Sequence, residues 1–168
     1  LQGGASVGVG GLDWVLRNTR TAPDALIAMV PPGEADYRGM ILEENRSVDS
    51  RIGIRVGPGI SGVLRGHASQ GVERPLWDQG SSLRIHPAEV VRLQLEGMRT
   101  VLEEEGVTAG VDWQSMLGDL ARQAARAPGE VNLPALRAAA VDKVAGAVGR
   151  GVTAETSLRV LETLTGLR

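Results

Sequence analysis

The residues best suited to chemistry lie in one glycine-rich segment, Gly57-Pro58-Gly59-Ile60-Ser61-Gly62. Its G-x-G-x-x-G spacing is that of dinucleotide-binding turns, whose glycines let the backbone approach a pyrophosphate at a helix N-terminus. In such sites an acidic residue about 20 positions further on binds the ribose, and Asp78 stands at that distance. The motif therefore predicts a ligand site made by Gly57, Gly59, Ser61, Gly62 and Asp78.

The sequence around this motif disfavours a dinucleotide site. Residues 51–56 alternate between polar and apolar, whereas a central parallel strand is continuously apolar. Residues 60–70 are a short stretch for a crossover helix, and no further βαβ unit follows. The competing interpretation is a tight glycine turn that leads into a short helix.

Other reactive groups are few. The chain has no cysteine, which excludes disulfides, thiolate metal sites and a thiol nucleophile. His67 and His86 are the only histidines and fall in different predicted elements, so they do not supply a metal site by themselves. His67 could act as a general base, but no G-x-S-x-G pattern surrounds any serine. We therefore expect no catalytic residue, no metal, no cofactor and no enzyme activity.

Composition narrows the function classes further. The chain has 168 residues, 42% of them apolar and 23% charged, with no apolar run long enough for a membrane helix. These values predict a soluble, cytoplasmic globular chain that does not insert into membranes. The net charge of -2 and an aromatic content of 2% disfavour nucleic-acid binding, which uses basic surfaces and exposed stacking side chains.

The N-terminal half must position the motif, and its pattern predicts strands and turns. Alternation over Arg51–Val56 places Ile52, Ile54 and Val56 on one face of a half-exposed strand. Pro75 interrupts a further candidate strand and confines it to a sheet edge. No internal repeat is evident. The predicted elements are a short helix through Leu12, Val15 and Leu16, and strands at Ala25–Val30, Tyr37–Glu43, Arg51–Val56 and Val72–Trp77.

The C-terminal half predicts four amphipathic helices. The first has an apolar stripe at helical spacing, formed by Val91, Leu95, Met98 and Leu102. The residues that favour helix starts are His86 with Pro87, Asp112, Asn132 with Pro134, and Thr153. The fold class predicted is α+β: a small antiparallel or mixed sheet in residues 1–83, with the four helices of residues 84–168 packed on it as one compact unit.

A family resemblance rests on Ile54–Leu64, Gly66 and the pair Trp77-Asp78. These residues resemble the middle of a GAF domain, in which a strand leads into a G-x-G-I-x-G turn, a short helix and an aspartate beside a small-molecule pocket. The resemblance covers roughly residues 12 to 80. It implies ligand sensing or dimerisation and supplies no catalytic residue.

These observations predict a non-enzymatic regulatory module that senses a small molecule or oligomerises. Its expected partners are further copies of itself, a partner protein or a small-molecule ligand. The alternative is a structural subunit of a larger assembly, such as a virion or a secretion component. A nucleotide-dependent enzyme fragment ranks third.

Overall fold

The structure is a computed structural model that describes residues 15–16, 19–21, 25–29, 37–107, 110–148 and 152–165. The strands are β1 (Val15–Leu16), β2 (Thr19–Thr21), β3 (Ala25–Met29), β4 (Tyr37–Glu43), β5 (Arg46–Val56), β6 (Ile60–Arg65), β7 (Ala68–Asp78) and β8 (Ser82–Ile85). The helices are α1 (Pro87–Glu104), α2 (Trp113–Ala124), α3 (Leu133–Val148) and α4 (Ala154–Thr165), with a short 3-10 helix at Pro128–Glu130.

The strands form two parallel sheets, which the chain visits alternately from β3 onward. One sheet has the order β1-β4-β6-β8, and in the other β5 lies between β7 on one side and β2 and β3 on the other. From β4 to β8 each strand pairs with the strand two positions further along the chain. The connection between parallel neighbours is therefore a strand of the other sheet. Stacked coils of this kind are a β-solenoid.

The coils repeat with a nearly constant length. Ile41 pairs with Val63 and Ile54 pairs with Leu76, a separation of 22 residues in both cases. The backbone turns repeat with the same spacing, since Glu44 and Gly66, and likewise Asp49 and Gly71, all have positive φ. The prediction of no internal repeat was therefore wrong. Some equivalent positions share residue type, such as Leu42 with Leu64 and Ser47 with Ser69, but many do not, and this hides the repeat from sequence comparison.

The prediction of a small antiparallel or mixed sheet was wrong about strand direction, while the α+β class was correct. Ile52, Ile54 and Val56 are buried, as the alternation predicts. Alternation requires only that one strand face is apolar and the other solvated, and it is typical of antiparallel sheets. In a solenoid one face points into the coil interior and the other to solvent, so parallel strands alternate too.

The predicted strands were confirmed, with different bounds in some cases. Tyr37–Glu43 is β4, while Arg51–Val56 is the second part of the longer β5. Residues 60–65 form strand β6, so the expected short helix after the glycine turn was wrong. Val15 and Leu16 form a strand where a helix was predicted, and Leu12 and Val30 lie outside the described residues.

All four predicted helix starts were confirmed by capping hydrogen bonds. The His86 ring accepts from the Ala88 N–H at 3.2 Å, and the Thr153 hydroxyl accepts from the Thr156 N–H at 3.1 Å. The side chains of Asp112 and Asn132 accept backbone N–H groups three residues on, both at 3.0 Å. Each side chain satisfies a donor that has no partner within the helix.

Helix α1 is buried on two faces and joins the two halves of the molecule. On one side Val90 and Leu93 pack into the solenoid core, and α1 covers the edge strand β7 that carries Pro75. A Cβ at Gly97 would lie 2.5 Å from the Glu73 carbonyl oxygen, so helix and strand are in close contact there. On the other side the predicted stripe Val91, Leu95, Met98 and Leu102 packs against α2, α3 and α4.

Candidate functional site

The structure brings the predicted ligand residues together at one corner of the solenoid. Gly57, Pro58 and Gly59 connect β5 to β6, and Ser61 and Gly62 lie in β6. Asp78 ends β7 one coil further on, where it pairs with Val56. The turn at Gly57, Pro58 and Gly59 therefore lies against the turn that follows Asp78.

The corner is held by hydrogen bonds within and between the two coils. The Asp78 carboxylate accepts the N–H groups of Gly80 at 3.0 Å and Ser81 at 2.7 Å, so it closes its own turn. The Gln79 N–H donates to the Val56 carbonyl at 2.8 Å, and Arg55 Nε donates to Gln79 Oε1 at the same distance. These contacts stack one turn on the other.

Ser61 and Gly62 are part of the same stacking. Ser61 pairs with Ser82 of the next coil, and Gly62 pairs with Met40 of the preceding one. A Cβ on Gly62 would lie 1.9 Å from the Met40 carbonyl oxygen, so only glycine permits the two backbones to approach as they do. Gly62, the last glycine of the segment that resembles a phosphate-binding turn, thus makes a close backbone contact between coils.

A serine and a histidine meet inside the solenoid. Ser47 Oγ lies 3.2 Å from His67 Nε2, a distance suited to a nucleophile and its base. Both side chains are completely buried, and a Cβ on Gly53 would come within 3.1 Å of both. Because no substrate reaches a pair packed this way, the contact is an interior hydrogen bond.

A charged cluster on α1 closes the end of the solenoid beside His67. Glu89 accepts the backbone N–H of His67 at 3.2 Å, and Arg92 donates to the His67 carbonyl oxygen. Arg92 also forms ion pairs with Glu89 and Glu96, and Glu96 accepts the Ser69 hydroxyl at 2.5 Å. The helix thus hydrogen-bonds the backbone of His67, just before β7, and the side chain of Ser69 within β7.

Burial shifts the titration of these groups. Desolvation, together with the charge of Arg92, lowers the pKa of His67 to about 4, although hydrogen bonds to the backbone of Asn45 and Pro75 act in the opposite direction. Burial raises the pKa of Glu96 against the opposing effects of Arg92 and Ser69. Burial disfavours the charged form of Arg92, but its contacts with Glu89 and Glu96 outweigh this and raise the pKa of Arg92. His67 is therefore neutral at pH 7.

Stability is expected to fall as the pH decreases from about 6.5 to 4. In the unfolded chain His67 binds a proton below the ordinary histidine pKa of 6.5, whereas in the folded protein it does so only below about 4. The stabilisation is thus full above pH 6.5 and is lost as the pH falls to the folded value, a total of about 3 kcal/mol. Urea denaturation at intervals through this range measures the effect.

Two variants isolate the contribution of His67. His67→Gln should flatten the pH dependence between 6.5 and 4, while His86→Asn, which keeps a capping side chain, should retain it. Glu96 acts in the opposite direction, because its raised pKa makes the folded state bind protons more readily than the unfolded state. An unchanged pH profile in His67→Gln would show that His67 does not titrate as described.

The sequence contains a signal for this cluster, although the cluster was not predicted. Glu89, Arg92 and Glu96 follow at intervals of three and four residues, which places them on one face of α1. Val90 and Leu93 form a second apolar face beside the predicted stripe. Together these patterns indicate a helix with two buried faces.

The described residues contain no group of three or more His, Cys, Asp or Glu side chains that could hold a metal ion. Within the same part of the chain, no helix combines the length and apolar character needed to cross a membrane. In comparisons with family models, curated proteins and solved structures, nothing matches this chain. The GAF resemblance thus stays a prediction.

Proposed function

We propose that the chain is a non-enzymatic oligomerisation module, in which the solenoid is a rigid scaffold and α4 contacts a second copy. The supporting observation is the exposure of two large apolar side chains, Leu158 at 63% and Leu161 at 54%. They lie three residues apart on α4 and therefore share one face of the helix. Paired exposed leucines of this kind favour a protein contact.

An apolar cavity adjoins Leu161. It has a volume of about 340 Å³ and is lined by residues of α1, α3 and α4, including Val141, Val144, Val148, Val160 and Leu161. Leu161 itself forms part of the rim, so exposed side chain and cavity make one continuous surface. Such a surface can be self-complementary, as a two-fold interface requires, with a leucine of each copy placed in the cavity of the other.

Helix α4 is held firmly enough to present this surface. Arg159 bridges to Glu73 of β7 and to Glu104 and Glu105 at the end of α1. The buried side chain of Gln94 donates to the Leu164 carbonyl at 2.7 Å. These contacts tie α4 to the solenoid and to α1 independently of the exposed leucines.

Leu158→Glu combined with Leu161→Glu is expected to dissociate the assembly into protomers. The change places two carboxylates where the partner would bury apolar side chains, and burying an unpaired charge has a high free-energy cost. Light scattering coupled to size exclusion measures the mass of the assembly. Circular dichroism should show unchanged helix content, because both positions are exposed.

Gln114→Glu with Ser115→Glu is the matched control. It adds the same charge at exposed positions on α2 and should leave the mass of the wild-type assembly unchanged. A wild-type protein that is already a protomer would contradict the proposal, as would a leucine variant with the wild-type mass. A concentration-dependent filament in place of a closed oligomer would instead favour the structural subunit, which the stacked coils also support.

A further inference from the structure

A second cavity lies on another side of the helical half, between α2 and α3. Both helices pack on α1 but make few contacts with each other, so a groove remains open between them. Its volume is about 440 Å³, within the range of about 300–1,000 Å³ usual for small-molecule sites. It shares no lining residue with the cavity beside α4, so its function is separate from the proposed oligomerisation.

The floor of the groove is apolar. It is made by buried or half-buried side chains from all three helices, namely Leu95, Met116, Leu120, Leu136 and Ala140. Small side chains on α3 keep it open, because Ala139 and Ala140 line it where larger residues would fill it. An apolar chain in this groove would remove these side chains from water, which favours binding.

The rim of the groove is cationic. Arg122, Arg126 and Lys143 line it together with a single carboxylate, Asp119. Asp119 forms ion pairs with both Arg122 and Lys143, the latter at 3.5 Å, so two cations share one acid. Among the described residues, no ion pair is seen for the Arg126 guanidinium. The rim therefore has positive charge in excess of what its own acid neutralises.

The position of Arg126 at the end of the groove is fixed by the backbone. His86 Nε2 lies 3.0 Å from the Arg126 carbonyl oxygen, which ties the end of α2 to the start of α1. Arg126 is thus anchored through its backbone carbonyl, while its guanidinium remains exposed to solvent. A free guanidinium offers the donor pair that suits a carboxylate.

We propose that this groove binds a free single-chain amphiphilic carboxylate, with its apolar chain on the floor and its head group at the cationic rim. The two halves of the site match the two halves of such a ligand: an apolar surface is provided by three helices, and uncompensated positive charge lies at its edge. A neutral ligand would leave the positive charge of the rim uncompensated, and a cationic ligand would be repelled by it.

Titration of the wild-type protein with dodecanoate below its micelle concentration, followed by calorimetry, tests this proposal. We expect saturable binding with one ligand per protomer. Dodecyltrimethylammonium has the same chain with the opposite charge and should bind at least about tenfold more weakly, since a charge-assisted hydrogen bond is replaced by repulsion.

Two pairs of variants separate the roles of charge and shape. Arg126→Gln with Lys143→Gln should weaken dodecanoate binding at least about tenfold. The control, Arg51→Gln with Arg84→Gln, removes the same number of charges from the solenoid. Its affinity for dodecanoate should stay within about twofold of wild type. Ala139→Phe should block the groove, and Ala138→Phe, the adjacent exposed alanine that does not line it, should leave binding unchanged.

Several results would overturn the proposal. These are an absence of saturable dodecanoate binding, equal affinity for the cationic amphiphile, and equal losses in the groove variants and their controls. Binding seen only with vesicles that contain phosphatidylglycerol, and not with free dodecanoate, would also overturn it, because the site would then recognise a membrane surface. None of these outcomes depends on the oligomeric state.

Discussion

Replacing Gly62 with alanine should destabilise the protein by more than about 3 kcal/mol, or prevent folding altogether, because strain and a severe backbone clash combine at this position. The added Cβ would lie 1.9 Å from the Met40 carbonyl oxygen and 2.7 Å from the Met40 nitrogen. These are backbone atoms of the adjacent coil, which cannot move aside as a flexible side chain can. The Gly62 φ of 151° also disfavours any residue with a side chain.

Urea denaturation followed by circular dichroism measures this loss. Gly146→Ala is the control, since Gly146 lies within α3 and a Cβ there meets nothing within 4 Å. Alanine at that helical position should stabilise the protein by up to about 1 kcal/mol. If Gly62→Ala lost no more than about 1 kcal/mol, the close stacking of β4 and β6 at this corner would be refuted.

Replacing Arg92 with methionine is expected to destabilise the protein by about 3 kcal/mol. The substitution keeps an apolar stem but removes the donor that Glu89, Glu96 and the His67 carbonyl share. Both carboxylates are less than one fifth exposed and would lose the cation that lies beside them. The cost arises mainly from leaving these charges uncompensated, as for other buried ion pairs with one partner removed.

Arg99→Met on the same helix provides the comparison. Arg99 pairs with Glu103 in solvent, where an ion pair contributes about 0.2–1 kcal/mol, so the variant should stay close to wild type. Adding Glu96→Gln to Arg92→Met should recover part of the loss, because it removes one of the unpaired charges. Equal small effects of Arg92→Met and Arg99→Met would mean that the cluster on α1 does not hold the end of the solenoid.

Much of the local structure could be predicted from the sequence, because the signals are local. Proline at the start of α1, the capping side chains of Asp112 and Thr153, and the alternation in β5 each act over a few residues. Their physical causes are unpaired helix donors and the two faces of a strand. Neighbouring sequence was therefore enough to identify them.

The strand pairing could not be predicted in the same way. It depends on contacts between residues that are 21 to 27 positions apart, such as Leu64 with Ile85 and Ile27 with Ile54. Apolar alternation is typical of antiparallel sheets, but parallel strands with one face toward solvent alternate too, so the pattern in β5 indicated the wrong strand direction. Some residues that are equivalent in successive coils differ in type although both are buried, as Asn45 and His67 do.

The predicted site residues show a related limit of prediction from sequence. Gly57, Gly59, Gly62 and Asp78 do come together, since Gly57 and Gly59 form one turn, Asp78 precedes the turn stacked on it, and Gly62 lies near the start of β6. Spacing alone does not tell whether a glycine leaves room for a phosphate or for another backbone. The position of Met40 against Gly62 decides this at one residue, and it lies 22 residues away in the chain.

A native mass spectrum of the unmodified protein, recorded over a range of concentrations, tests the proposed oligomerisation most directly. We predict one discrete multiple of the 17.6 kDa protomer, formed at low concentration and lost in the Leu158 and Leu161 double variant. The protomer mass alone, at every concentration and with the solenoid folded, would contradict the account.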